Sequence, residues 1–452
     1  MAHVPRKFVL ATFLALPAAR AAEPPVLHYT VTPVLAHGDL TAVAVELRTH
    51  VDASGALEVV MRGQPLHLSS SGRVDAGSDG KLTLRAAPNA EVTLSYERRG
   101  DATLDSWDVE PYMAAGWMQS PCSTLLAMPD DAVPRRVELD WKLPAHWRGF
   151  STVPAERAVT RSDQGNSACF MGRDVVDVTR RLGNRGTLHA YTTDAKAASA
   201  LIDLTARSLT VVANTSGPGN TAHADYPMYI APTGLPGDNS AGWSSGHFMA
   251  VVMARDAILP RIVGPIISDY AGMLAPKPVD PATAWYTQGL RSYLVVSDLL
   301  STGTVSRSDL ASYLDNLSGQ YGNSPFRRAS NAQVVSDWDR ARDIQSVPLQ
   351  RGLLFGWLLD ANLRQATGGK ACMADVLRRM DPSPADPATA LAAAVKAAGG
   401  GDIAPLVDRY VVRGELLQLP PGALGPCMAV STQADMAGWE VQRVSDTCTA
   451  SP

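Results

Sequence analysis

Apolar residues alternate with small or polar ones through much of the first third of the chain. Ala44 and Glu46 separate Val43, Val45 and Leu47; Thr83 separates Leu82 from Leu84; Thr93 and Ser95 separate Val92, Leu94 and Tyr96. A period of two puts such residues on one face of a β-strand, so each run predicts a strand with one buried side. His37-Gly38-Asp39 and Ser78-Asp79-Gly80 supply turn chemistry between runs. Short alternating strands broken by turns predict an antiparallel β-sandwich over residues 23–180. Val137-Glu138-Leu139-Asp140-Trp141 carries the strand-like text towards its end.

The period then lengthens. Residues 195–212 are rich in helix formers, and Pro227-Met228-Tyr229-Ile230 reads as a short strand within 217–246, a stretch rich in Gly, Pro, Asn and Ser that predicts loop. Helical spacing dominates afterwards, over 256–274, 284–301, 308–321 and 352–367. In the last of these Leu353, Trp357, Ala361 and Arg364 share a face. One more Ala-rich helix is predicted within 382–401. The fold class is therefore α+β: an N-terminal antiparallel β-sandwich, a mainly helical domain over 181–400, and a C-terminal tail over 401–452.

Residues 1–22 break this pattern. Arg6 and Lys7 precede an uncharged, mostly apolar run from Phe8 to Leu16, which Pro17 ends, and Ala19-Arg20-Ala21 offers small residues for cleavage. That order predicts a secretory signal peptide, with a mature start near Ala22 or Glu23. The run is too short to cross a bilayer core of roughly 30 Å, and no later stretch is long and apolar enough to do so. The expectation is an exported, soluble protein, periplasmic or secreted, with no membrane span in the mature chain.

Composition narrows the functions. The chain has 46% hydrophobic and 19% charged residues and a net charge of -4. No basic surplus suits nucleic acid, and no cationic amphipathic run suits lipid. Of the five cysteines, no two have the C-x-x-C spacing of a structural zinc site. In an oxidising compartment Cys427–Cys448 and Cys122–Cys169 could pair, leaving Cys372 free.

The richest text lies between Trp285 and Gly414. It runs Trp285-Tyr286-Thr287-Gln288-Gly289-Leu290-Arg291-Ser292-Tyr293, then Tyr313-Leu314-Asp315, Arg351-Gly352-Leu353, Leu358-Leu359-Asp360, Arg364, Thr367-Gly368-Gly369, Asp375-Val376-Leu377 and Asp408-Arg409-Tyr410-Val411. This order resembles the glycyl aminopeptidase family of gluzincin metallopeptidases, zinc aminopeptidases with a thermolysin-like domain behind a β-rich one. The resemblance implies that fold and an extended peptide held against an edge strand beside the metal. The segment Gly246-His247-Phe248-Met249-Ala250-Val251-Val252-Met253 lies where that strand could be, although so apolar a run reads first as a buried strand or helix start.

The resemblance also implies a zinc site, and the residues for it are missing. Such enzymes carry H-E-x-x-H on a helix, two histidines holding zinc and the glutamate activating water. The best match, Ser268-Asp269-Tyr270-Ala271-Gly272, places Ser268 and Gly272 at the histidine positions and Asp269 at the base. The third-ligand glutamate is replaced by Gln288, a neutral amide and a far weaker zinc ligand. No histidine follows His247 in any register. The family's tyrosine pair, a donor to the transition-state oxyanion, is replaced by Val347-Pro348-Leu349-Gln350, whose proline and leucine side chains cannot donate. The reading that follows is a degenerate, peptidase-like protein without zinc or another cofactor, retained to bind peptides or envelope proteins. Ser268, Asp269, Gly272, Gln288, Tyr293 and His247 would mark the remnant cleft, with no catalytic residue assigned.

Three other readings stand beside it. An active aminopeptidase with an atypical metal would need His189, His223 or His247 to converge with Asp225 or Asp269. Gly242-Trp243-Ser244-Ser245-Gly246 matches the G-x-S-x-G nucleophile elbow, although His247 is the only later histidine and lies three residues from Ser244. A purely structural envelope component would have its cleft filled. The acidic set Asp337, Asp339 and Asp343 lacks the glycine and closing glutamate of a calcium loop, and the interleaved Arg340 and Arg342 favour a solvated surface.

Overall fold

The computed structural model describes residues 24–77, 80–100, 110–160, 167–182, 186–215, 225–233, 240–244, 248–254, 279–338, 342–435 and 438–448. The first seven strands are β1 (Val26–Ala36), β2 (Asp39–His50), β3 (Ala56–Val60), β4 (Leu66–Ser70), β5 (Arg73–Ala76), β6 (Lys81–Arg85) and β7 (Glu91–Arg98). After them come β8 (Tyr112–Ala114), β9 (Trp117–Pro121), the short helix α1 (Cys122–Leu125), β10 (Met128–Pro129), β11 (Arg136–Trp141), β12 (Trp147–Ser151) and β13 (Ala168–Arg173).

These strands form three sheets, ordered β11-β1-β2-β7-β4, β10-β3-β6-β5 and β12-β13-β9-β8. Pairing is antiparallel except between β1 and β11, which run parallel with Val26 opposite Arg136. The alternating residues face inward as the period of two requires: Val43, Val45, Leu47, Leu84, Val92 and Leu94 are all buried. His37 and Gly38 both adopt positive φ, the backbone a two-residue hairpin between β1 and β2 demands. Two buried tyrosines pin the crossing after α1. Tyr29 donates its hydroxyl to Ala127 O at 2.6 Å, and Tyr96 accepts from Ala127 N at 2.7 Å. The Cys122–Cys169 disulfide joins α1 to β13 in the same core.

A fourth sheet, of five strands, follows, built from β14 (Val176–Arg181), β15 (Thr187–Thr192), β16 (Asp225–Thr233), β17 (Ser240–Ser244) and β18 (Met249–Ala254). Its order is β14-β15-β16-β18-β17, with β15, β16 and β18 parallel and both outer strands antiparallel. Helix α2 (Ala195–Thr215) crosses between β15 and β16, as a parallel connection needs. The short strand expected at Pro227-Met228-Tyr229-Ile230 is part of β16. The expected loop over 217–246 also contains β17, whose local signal is weak because it is short and rich in small residues, and partners elsewhere in the chain fix it.

The remaining described residues are mainly helical. A π-helical turn, Trp285–Leu290, runs into α3 (Arg291–Ser301), and α4 (Arg307–Asn323), α5 (Asn331–Asp337), α6 (Arg342–Thr367), α7 (Met373–Arg379), α8 (Pro387–Ala397) and α9 (Ala404–Val407) follow. The helix α6 begins ten residues before the apolar run that predicted it, with Pro348 inside it. The helix expected over 256–274 lies outside the described residues. The C-terminal hairpin of β19 (Met428–Ala434) and β20 (Glu440–Asp446) packs on α4, where Asp315 accepts from Val444 N at 2.8 Å. The Cys427–Cys448 disulfide closes the hairpin's base, and Cys372 is the free cysteine. No helix among the described residues is long and apolar enough to cross a membrane.

Candidate functional site

The π-helical turn carries the candidate position best defined by geometry. Trp285, Tyr286, Thr287, Gly289 and Leu290 are buried there, and only Gln288 is half-buried. Gly289 sits against α6, where an added Cβ would lie 2.5 Å from the Gly352 Cα and 2.6 Å from the Pro348 carbonyl oxygen. Ser292 Oγ donates to Gln288 O at 2.7 Å, and Tyr286 donates its hydroxyl to Asp381 O at 2.8 Å. Arg291, also buried, donates to Leu377 O at 3.2 Å. The Gln288 backbone is therefore fixed on both sides, while its side-chain amide makes no hydrogen bond among the described residues.

Tyr293 lies five residues on, in α3. It is fully buried and meets Trp357 edge-on at 5.0 Å. Burial, together with the Asp360 carboxylate to which its hydroxyl is bonded, pushes its phenol well above the usual tyrosine range. The structure thus places Tyr293 in the core between α3 and α6 and not on an open surface. Val347-Pro348-Leu349-Gln350 is helical and packs against the π turn; Val347 and Gln350 are buried. His247, Ser268, Asp269 and Gly272 lie outside the described residues.

Zinc is the metal that the family resemblance would bring. The donor set available does not fit it: Gln288 offers a neutral amide oxygen, and no three His, Cys, Asp or Glu side chains among the described residues lie close enough to hold a metal ion. His189 and Asp225 do come together, on neighbouring strands. His189 Nδ1 lies 3.1 Å from Asp177 Oδ2, and its Nε2 lies 3.6 Å from Asp225 Oδ1. His223, His247 and Asp269 lie outside the described residues. Of the acidic trio, Asp337 ends α5, Asp343 begins α6, and Asp339 is not described.

The topology of the β14–β18 sheet decides between the readings of two segments. The described part of the segment 246–253 is the buried strand that an apolar run suggests: β18 is interior, hydrogen-bonded to β16 on one side and β17 on the other, and is not the edge strand that the resemblance would want. Among the described strands the edges of this sheet are β14 and β17, each with one row of backbone groups unpaired by the sheet. Nor does Gly242-Trp243-Ser244 form a nucleophile elbow. It lies on β17, antiparallel to the next strand, whereas an elbow is a turn from strand to helix.

One feature had no local signal, an aromatic cluster between the β12-β13-β9-β8 sheet and the β14–β18 sheet. Phe150 stacks on Tyr191 at 4.2 Å, Tyr191 on Tyr229 at 5.6 Å, and Phe170 packs on Tyr229 at 5.6 Å. Arg148 caps the Phe150 ring at 5.0 Å. Its members come from four separate strands, so no local spacing could have revealed it.

No protein-family model and no curated protein matches the sequence. Solved structures do. An aminopeptidase N family protein from Idiomarina loihiensis superposes with a TM-score of 0.63 at 14% identity, covering 90% of this chain and 79% of that one. An M1 zinc metallopeptidase variant from Deinococcus radiodurans, bound to a Tyr-Ser-Ala substrate, gives 0.49 at 15% identity over 88% and 95% of the two chains. The first of these likenesses, with the element order above, shows that the chain has an aminopeptidase N-like fold, an N-terminal β region followed by a helical one.

Proposed function

We propose that this chain is an exported, catalytically inactive protein with an aminopeptidase-like fold that binds peptides or envelope proteins. The observation that carries the reading is Gln288. It stands, half-buried and on a fixed backbone, where the family resemblance calls for a zinc-binding glutamate. An amide keeps the shape of a carboxylate but lacks its charge, and no histidine occurs after His247 to supply the other ligands. The place of β17 at the end of its sheet, among the described strands, supports the binding half of the proposal. Extended peptides add to such edges through main-chain hydrogen bonds, which need no metal. The signal-like residues 1–22 support export.

The test is metal content of the purified mature chain by elemental mass spectrometry, with aminopeptidase assays in the presence and absence of added zinc. The expected result is no stoichiometric metal and no turnover, with retention of extended peptides in a binding assay. Stoichiometric zinc with chelator-sensitive cleavage would sink the proposal.

A further inference from the structure

Strand β14 ends its sheet on the side away from β17, and no described strand pairs with its outer side. Leu182 N donates to Gly186 O at 2.9 Å, in the register that sets Arg181 opposite Thr187 on β15. In an antiparallel pair, residues that bond directly across alternate with residues whose N–H and C=O point the other way. Val176, Val178 and Arg180 share the phase of Leu182 and turn their backbones to β15. The backbones of Asp177, Thr179 and Arg181 therefore turn outward, and all three residues are exposed.

The side chains on this row complement a second copy of themselves. Asp177, Thr179 and Arg181 share one face of the sheet with Tyr191 and His189, whereas Arg180 turns to the other face, where its Nε donates to Asp203 of α2 at 2.7 Å. Arg181 makes no ion pair among the described residues. A second β14 can lie antiparallel to the first about a two-fold axis normal to the sheet, which keeps the two faces of both copies aligned. With that axis at Thr179, Asp177 of each copy stands opposite Arg181 of the other, and all three outward residues find partners. An axis at Asp177 or Arg181 would oppose like charges, which is destabilising. An axis at Val178 or Arg180 would set both charges opposite uncharged residues. One register alone satisfies backbone and charge together.

We propose that β14 is a homotypic docking edge, through which two copies of this chain pair antiparallel about Thr179 and join two five-stranded sheets into one. A bare row of amides and carbonyls accepts any extended chain. The reciprocal Asp177–Arg181 pairs select a second copy, because directly opposed side chains fix the register of a strand pair. The edge is six residues long, so the contact belongs with small, reversible interfaces that bury less than about 1,200 Å². It lies at the opposite end of the sheet from β17, and so does not draw on the edge assigned above to peptides.

Sedimentation velocity of the full mature chain, over a concentration series reaching millimolar, tests it. A reversible equilibrium between monomer and dimer is expected. Arg181→Asp opposes two carboxylates at both ends of the contact and should weaken dimerisation by about tenfold or more. Thr179→Pro removes an outward amide that bonds nothing within the sheet, a position where an edge strand tolerates proline, and should weaken it similarly. Asp177→Arg combined with Arg181→Asp exchanges the two charges, leaves the row self-complementary and should restore the dimer. Each variant is checked for an unchanged circular-dichroism spectrum. A monomer at every concentration would overturn the proposal. So would a dimer retained undiminished by folded Arg181→Asp or Thr179→Pro protein, or a folded double exchange that stays monomeric.

Discussion

Gly289 and Gly352 meet backbone to backbone: a methyl group on either would come within 2.7 Å of the other's Cα. A Cβ on Gly352 would also lie 2.1 Å from the Trp285 carbonyl oxygen, and one on Gly356 would lie 2.5 Å from the Tyr293 ring. Three glycines thus let the π turn and α3 run beside α6 at a separation that no side chain would allow. Overfilling such a contact costs about 1–3 kcal/mol. Gly352→Ala should therefore lower stability by at least about 2 kcal/mol in urea denaturation, with Gly289→Ala close behind. Gly319→Ala, where nothing lies within 4 Å of an added Cβ, serves as the control and should be neutral or better.

Restoring the carboxylate at position 288 tests how much of a zinc site survives. If the other ligands are gone, Gln288→Glu alone should bind no stoichiometric zinc and cleave no aminoacyl substrate. Elemental mass spectrometry and a fluorogenic peptidase assay would measure both. Zinc uptake by this single variant would mean that histidines or carboxylates elsewhere already converge on the position.

Alkaline pH should unfold the protein cooperatively. Burial pushes the phenols of Tyr29, Tyr96, Tyr229, Tyr313 and Tyr293 above the usual tyrosine range. The unfolded chain loses these protons near pH 10, while the folded chain retains them to higher pH. The folded state then binds more protons in that window, so its stability is full below about pH 10 and falls as pH rises above it. Tyrosinate absorbance at 295 nm and near-ultraviolet circular dichroism should change together for this buried set. Ionisation well before loss of structure would contradict the burial.

Thiol chemistry offers another check. Denatured but unreduced protein should titrate one thiol, from Cys372, and peptide mapping should recover the Cys122–Cys169 and Cys427–Cys448 pairs. Replacing both Cys427 and Cys448 by serine opens a loop with a sequence separation of 21. On the chain-entropy model that should cost about 3 kcal/mol, read as a lower denaturation midpoint for the hairpin on α4.

Much of this fold was legible in local pattern. The inward residues of β2, β6 and β7 follow the alternation at Val43, Leu82 and Val92, and α4 follows helical spacing because Leu310, Leu314, Leu317 and Tyr321 make one apolar face. What local pattern could not reveal depends on distant partners. Nothing near Val26 announces a parallel neighbour at Arg136, and nothing in Ser240–Ser244 marks it as the sheet edge in place of Met249–Ala254. At the candidate site, Gln288 was identifiable from its neighbours Trp285 and Gly289. The burial of Tyr293 was not, because it depends on Gly356 and Trp357, more than sixty residues later.

The parallel pairing of β1 with β11 also bears on how the chain reaches this state. β1 is an interior strand, yet Val26 and its partner Arg136 are 136 − 26 = 110 positions apart. Until residue 141 has been added, one side of β1 remains an open row of amides and carbonyls. Such an edge can template pairing with another chain, and contacts so distant in sequence form slowly. A chain emerging from its amino end would hold its first strand half-paired while about two-thirds of the β-rich region followed. The stage most vulnerable to aggregation is therefore early synthesis, when a binding partner for that edge would do most to protect it.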